Sequence, residues 1–186
     1  METEEILLEA EERMENAVEA LHNAFGSVRT GRASGKVLDR IRVDYYGAMT
    51  PINQLAGVKA PDAHLLVIEP WDKSSLKSIE RAIMESDLGV TPSNDGMVIR
   101  LPFPELTEER RRELVKLCKG YAEDARVSVR NARRDANTAL SKAEKASEIT
   151  EDDLRRAEND VQKLTDKYIA KIDEAFKAKE AEVMEI

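Results

Sequence analysis

A single cysteine, Cys118, among 186 residues leaves no partner for an intrachain disulfide and no thiol set for a zinc site, which agrees with a reducing compartment. Histidine is almost as scarce. His22 and His64 lie far apart, neither with an acid or thiol at a useful spacing, so no metal site and no catalytic triad can be assembled. Aromatic residues make up 4% of the chain, which argues against a β-sandwich and for a mostly aliphatic core. No apolar run approaches the ~20 residues of a membrane-spanning helix. The opening METEEILLEAEERMENA is too acidic for a secretory or organelle-targeting peptide. The stretch GRASGK departs from a phosphate-binding loop, because three residues rather than four separate Gly31 from Gly35 and Val37 follows the lysine. A domain junction explains these glycines better, and no catalytic residue, cofactor site or metal site is expected.

What the chain has in quantity is charge, 35% of residues with a formal net charge of −8, arranged on helical periods. Leu7, Ala10, Met14, Ala17, Leu21, Phe25 and Val28 recur at three/four spacing and predict a first long helix. From Thr107, a plausible N-cap, a second runs through Leu114, Cys118, Tyr121, Ala125, Val129, Ala132, Ala136, Ala139 and Ala143. After SEIT a third, capped by Thr150, carries Leu154, Ala157, Val161, Leu164, Tyr168, Ile172, Phe176 and Val183. Three one-sided helices bury their stripes most economically against one another, as a bundle; a free coiled-coil dimer is the alternative. The glutamates of the first helix read as a solvated face on which Glu11→Ala should be nearly silent, and Leu164 reads as core.

Between the first two helices the period changes. IRVDYYG, HLLVIEP and MVIRLPFP are strand candidates, and SSLKSIERAIMESD is a short helix with Leu76, Ile79 and Ile83 on one face. All six prolines fall between residues 51 and 104. The expectation is an α+β chain: residues 1–30 and 105–186 as a discontinuous three-helix bundle, and residues 31–104 as an inserted α/β domain. Its borders, RTGRASG and LPFPELT, are two crossings that together form a hinge of limited freedom.

Charge is unevenly partitioned. Residues 1–28 carry eight acids and one arginine, whereas residues 110–134 carry nine Lys or Arg and three acids. On a helix, Arg126, Arg130, Arg133 and Arg134 fall within an arc of about 100° beside the apolar stripe, with Arg112, Lys116 and Lys119 near the same line. Guanidinium groups bind phosphate bidentately. Such a ridge suits an RNA backbone, an anionic protein surface, or internal pairing with acids of neighbouring helices.

SVRTGRAS, YYGAMTPINQLA, IMESDLG, LPFPELTEERRRELVK, ARVSVRNARRDAN and DVQKLTDKYI together closely resemble the ribosome recycling factor family, in order and spacing, from Met14 to the C-terminus. The resemblance implies a three-helix bundle with a small inserted β/α/β domain, arranged as an L about the size of a transfer RNA. It implies a factor that acts with elongation factor G and GTP to separate post-termination ribosomes into subunits, releasing mRNA and tRNA, while hydrolysing nothing itself. It further implies that the bundle lies on large-subunit ribosomal RNA, with Arg133 the foremost contact and Arg130, Arg111 and Arg29 on the same side. The inserted domain would meet the GTPase. The hinge would comprise Arg29, Thr30, Gly31, Arg32, Ala33, Ser34 and Gly35 with Leu101, Pro102, Phe103, Pro104, Glu105 and Leu106. Many family members carry proline after GRAS, where this chain has Gly35. A monomeric bacterial cytoplasmic protein without membrane or DNA partners is expected.

Overall fold

The computed structural model describes residues 2–185. Along the chain run α1 (Thr3–Gly26), β1 (Arg42–Tyr45), β2 (Ala48–Pro51), β3 (Ala56–Asp62), β4 (Leu65–Pro70), α2 (Leu76–Glu85), β5 (Ser93–Asn94), β6 (Ile99–Pro102), α3 (Glu108–Lys145) and α4 (Glu151–Met184), an α+β fold. Two compact units result. One extends to Phe25 and resumes at Lys116–Glu180; the other comprises Gly26–Val115 and the residues from Ala181 onward.

In the first unit α1, α3 and α4 form a three-helix bundle. Ile6 and Ala10 of α1 meet Ala136 and Leu140 of α3 and Ala157 and Val161 of α4 in one buried cluster. Alanines at the contact let helix axes approach closely. Polar bonds join every pair of helices: Arg13 of α1 to Asp135 of α3 at 2.8 Å, Arg126 of α3 to Asp173 of α4 at 2.8 Å, and the Tyr168 hydroxyl of α4 to Glu15 of α1 at 3.0 Å. The buried face of α1 centres on Ile6, Ala10, Met14, Val18, Leu21 and Phe25, so Leu7 and Ala17 lie at its margin. In α4 the buried residue is Thr165, with its hydroxyl bonded to the Val161 carbonyl at 2.8 Å, and Leu164 is only half-buried. A stripe read from apolar residues alone cannot register a threonine that satisfies itself on its own helix.

Helix ends follow their sequences. The Thr107 hydroxyl accepts the Arg110 N–H at 3.1 Å, and Thr150 and Asp153 cap α4 reciprocally, each backbone N–H donating to the other's side chain at 3.1 Å. Ser147 closes α3 in the left-handed region at φ 60°, with Glu148 N–H on the Ala143 carbonyl and Ser147 N–H on that of Glu144, the Schellman pattern.

In the second unit β3, β4, β6 and β5, in that spatial order, make an antiparallel sheet, and β1–β2 is a separate hairpin. Leu76, Ile79 and Ile83 of α2 pack with Leu66, Ile68, Ile99, Leu101 and Phe103 in one core cluster. β3 contains Gly57 and Pro61, residue types that commonly mark turns. It stands at the edge of the sheet, where Pro61 falls at a register shift between Lys59 and Asp62 and needs no ladder partner.

Candidate nucleic-acid interface

The α3 ridge is built by a helix that buries Ala122, Ala125, Val129, Ala132 and Ala136 on one side and turns its arginines away from that stripe. The four differ in how firmly they are held. Arg126 is enclosed, its side chain 19% exposed, and it reaches Asp173 through Nη2 at 2.8 Å and Nε at 3.0 Å and Glu123 at 3.2 Å. Burial alone would lower its pKa, but the bonds from Asp173 and Glu123 outweigh that and raise it. Arg126 is thus a bundle contact between α3 and α4.

Arg130 and Arg134 are loosely held. Arg130 reaches Glu123 at 3.3 Å, and Arg134 reaches Asp135 at 3.6 Å with its side chain 69% exposed. Asp135 is already committed: its other oxygen takes Arg13 at 2.8 Å, a bond that lowers the carboxyl pKa. Exposed pairs of this kind contribute roughly 0–1 kcal/mol, so a phosphate can displace them at little cost. Arg133, half-buried at the edge of the stripe, makes no ion pair or hydrogen bond within the described residues. Lys116 and Lys119 are exposed on the same helix. The arrangement offers an outward row of cations, one of them uncommitted, to a phosphate backbone.

Arg111 and Arg29 belong to the other unit and are turned inward. Arg111 is 9% exposed, donates to the Met184 carbonyl at 3.2 Å, and has no partner for its buried Nε among the described residues. Its spacing from Leu114 and Cys118, three and seven residues on, already places it in the apolar stripe. Arg29 donates to the Pro104 carbonyl and lies over the Phe103 ring, 5.3 Å from its centroid. Burial, and then the neighbouring charge of Arg110, lower its pKa.

That Arg29 bond draws together segments 29–35 and 101–106, both within the second unit, and the β3–β4 turn holds both. Ala33 N–H donates to the Ala63 carbonyl and Phe103 N–H to the His64 carbonyl, each at 2.6 Å, while His64 Nδ1 lies 3.1 Å from the Phe103 carbonyl. Leu101, Phe103 and Leu106 are buried; Arg32, Pro102, Pro104 and Glu105 are exposed; Thr30 and Gly31 are intermediate. Ser34 caps a 3-10 turn that begins at Gly35, its hydroxyl accepting Lys36 N–H at 3.3 Å. His64, which the sequence offers as a structural or surface histidine, is structural here. The signal for its role was Asp62, whose carboxylate accepts His64 N–H at 2.7 Å and fixes the turn.

Residues 21–184 match the family described as ribosome recycling factor. The chain belongs to the ribosome recycling factor family. It is 60% identical over 184 residues to the ribosome-recycling factor of Halalkalibacterium halodurans, covering 99% of this chain and 100% of that one, and 59% identical over 183 residues to that of Bacillus thuringiensis, covering 98% and 99%. A solution structure of a ribosome recycling factor superimposes with a TM-score of 0.79 at 45% identity, covering 100% of this chain and 99% of that one. Another similar chain, with a TM-score of 0.67, 44% identity and coverage of 99% and 100%, is a T. thermophilus ribosome recycling factor described with E. coli elongation factor G bound to the E. coli post-termination complex. Ribosome recycling factors are translation factors and not enzymes. Among the described residues no helix is long and apolar enough to cross a membrane.

Proposed function

We propose that the chain, as a monomer in the cytoplasm, separates post-termination ribosomes into subunits together with elongation factor G and GTP, and so frees mRNA and tRNA. The bundle is the anchor. Arg133, Arg130 and Arg134 lie along the phosphate backbone of large-subunit ribosomal RNA, with Arg126 holding the helix that presents them. The inserted domain, residues 31–104, receives elongation factor G, and the connecting segments at Arg29–Gly35 and Leu101–Leu106 carry the displacement to the bundle. Arg29 and Arg111 serve in this reading as internal supports of that second unit. No cofactor, metal, membrane or DNA is involved.

The observation that carries the RNA contact is the contrast along α3: Arg126 is tied by two carboxylates, whereas Arg133 has none. An acidic chain avoids indiscriminate attachment to RNA, and a local cationic row still supplies an oriented one. The testing experiment mixes purified post-termination ribosomes with the protein, elongation factor G and GTP, and follows light scattering. The expected result is a fall in scattering that needs all three components. Scattering unchanged in the complete mixture removes the recycling activity.

A further inference from the structure

The chain has eight aromatic residues, and two of them are spent on the surface of the second unit. Tyr46 is 81% exposed and Trp71, the sole tryptophan, is 70% exposed. Both converge on the short segment after β4. The Tyr46 hydroxyl lies 3.5 Å from Ser74 Oγ, the adjacent Tyr45 donates to Asp72 at 3.2 Å, and the Tyr45 and Tyr46 rings meet edge to face at 4.6 Å. The Trp71 ring edge covers Gly57 of β3, its Nε1 4.0 Å from where a Cβ would stand.

Tyr46 is also in a costly conformation. It occupies the first position of the two-residue β1–β2 turn at φ 51°, followed by Gly47 at φ 86°, both in the left-handed region that such turns fill with Asn-Gly. A bulky ring in that region is an outlier. The hairpin fixes it there, with Gly47 N–H on the Asp44 carboxylate at 2.9 Å. Strain held at an exposed aromatic is the pattern of a residue retained for contact.

We propose that Tyr46 and Trp71 form the patch by which the inserted domain docks elongation factor G. The inference rests on the recycling reading above and names the surface it leaves open. A protein surface is the occupant because the patch lacks the cationic excess that a phosphate backbone requires. Residues 31–104 hold nine Lys or Arg against nine Asp or Glu, with no cationic excess; at the patch Asp44, Glu69 and Asp72 outnumber the exposed Lys73 in the same segment. A phosphate backbone would meet those carboxylates, whereas an apolar pocket on a protein accepts both rings, the residue types that dominate interface energetics.

The test uses the intact chain. Tyr46→Asn gives the turn its preferred Asn-Gly sequence, so the hairpin keeps its stability while the ring is lost. The rate of subunit separation at limiting elongation factor G should fall about five-fold or more and recover as elongation factor G is raised, with the binding of the factor alone to ribosomes unchanged. Trp71→Ala should act in the same direction. A benzophenone amino acid at position 46 should crosslink to elongation factor G on post-termination ribosomes held with a non-hydrolysable GTP analogue. An unaltered dependence on elongation factor G in both variants, or crosslinks to ribosomal RNA or ribosomal protein instead, overturns the patch. Inactivity of the unsubstituted protein overturns the recycling reading itself, a separate result.

Discussion

At the scale of single residues, neighbouring arginines of α3 are held to different degrees. Arg133→Ala should weaken ribosome binding several-fold and leave the thermal melt unchanged. Arg126→Ala should do the reverse, lowering stability by about 1 kcal/mol through the lost bonds to Asp173 and Glu123; equal effects on binding would erase the distinction. Tyr168 revises the picture of α1 as a plain solvated face. Its hydroxyl proton is shared between Glu15 at 3.0 Å and Glu11 at 3.2 Å, so Glu11 serves as one of two acceptors between helices. Burial first, then those two carboxylates, raise the phenol pKa. A raised folded-state pKa means that the stabilisation is complete below the unfolded value of about 10 and is lost as pH rises above it. Tyr168→Phe should therefore cost about 1 kcal/mol at pH 7 and reduce the alkaline loss of stability, as denaturant melts at pH 7 and 11 will read. Gly35 follows extended Ser34, at φ −143° and ψ 137°, and opens a 3-10 turn, positions that suit a pre-proline residue and a proline. Gly35→Pro should raise stability by about 0.5 kcal/mol by restricting the unfolded chain, and a lowered melting temperature would show that the site needs glycine.

At the scale of elements, the periodic parts of the chain were the legible ones. α1, α3 and α4 announce themselves because three/four spacing persists over many turns, and Thr107 and Thr150 mark where two of them begin. The exact buried face was less so: Ile6 and Val18 outrank Leu7 and Ala17, since which of two adjacent apolar residues faces inward depends on the partner helices. Ile172, fully buried, is accordingly a sharper probe than Leu164. Ile172→Asp should abolish the cooperative melt of the bundle, because an uncompensated carboxylate costs several kcal/mol, and Leu164→Asp should leave a weakened but cooperative one. Of the strands, β1, β4 and β6 were readable from their apolar content. β2, β3 and β5 were not, because they are short or exposed and owe their strand geometry to pairing with neighbours. The arginine ridge was visible as an arc on a helix; that Asp173 would claim Arg126 depends on a residue 47 positions away, which no local pattern reports.

At the scale of the whole molecule, a net charge of −8 coexists with a cationic row, and the two together set the salt response. If the proposed contact engages phosphates without Arg126, which Asp173 holds, about three phosphates would be neutralised, and log affinity for ribosomes should fall against log salt with a slope of roughly −2 to −3; a slope near zero would remove the phosphate contact. The bundle's wiring has a further consequence for how the chain is made. Bonds from Tyr168 reach back 157 and 153 positions to Glu11 and Glu15, and the cluster around Ile6 and Ala10 is completed only by Ala136, Leu140, Ala157 and Val161. The sheet pairings close over much shorter loops, β3 on β4 and β4 on β6, and short loops close first. During synthesis the middle of the chain can therefore fold while α1, made earliest, waits as an amphipathic helix with its apolar face bare until α4 has left the exit tunnel. The usual order of domain maturation along a nascent chain is inverted, and the acidic outer face of α1 keeps that waiting segment in solution.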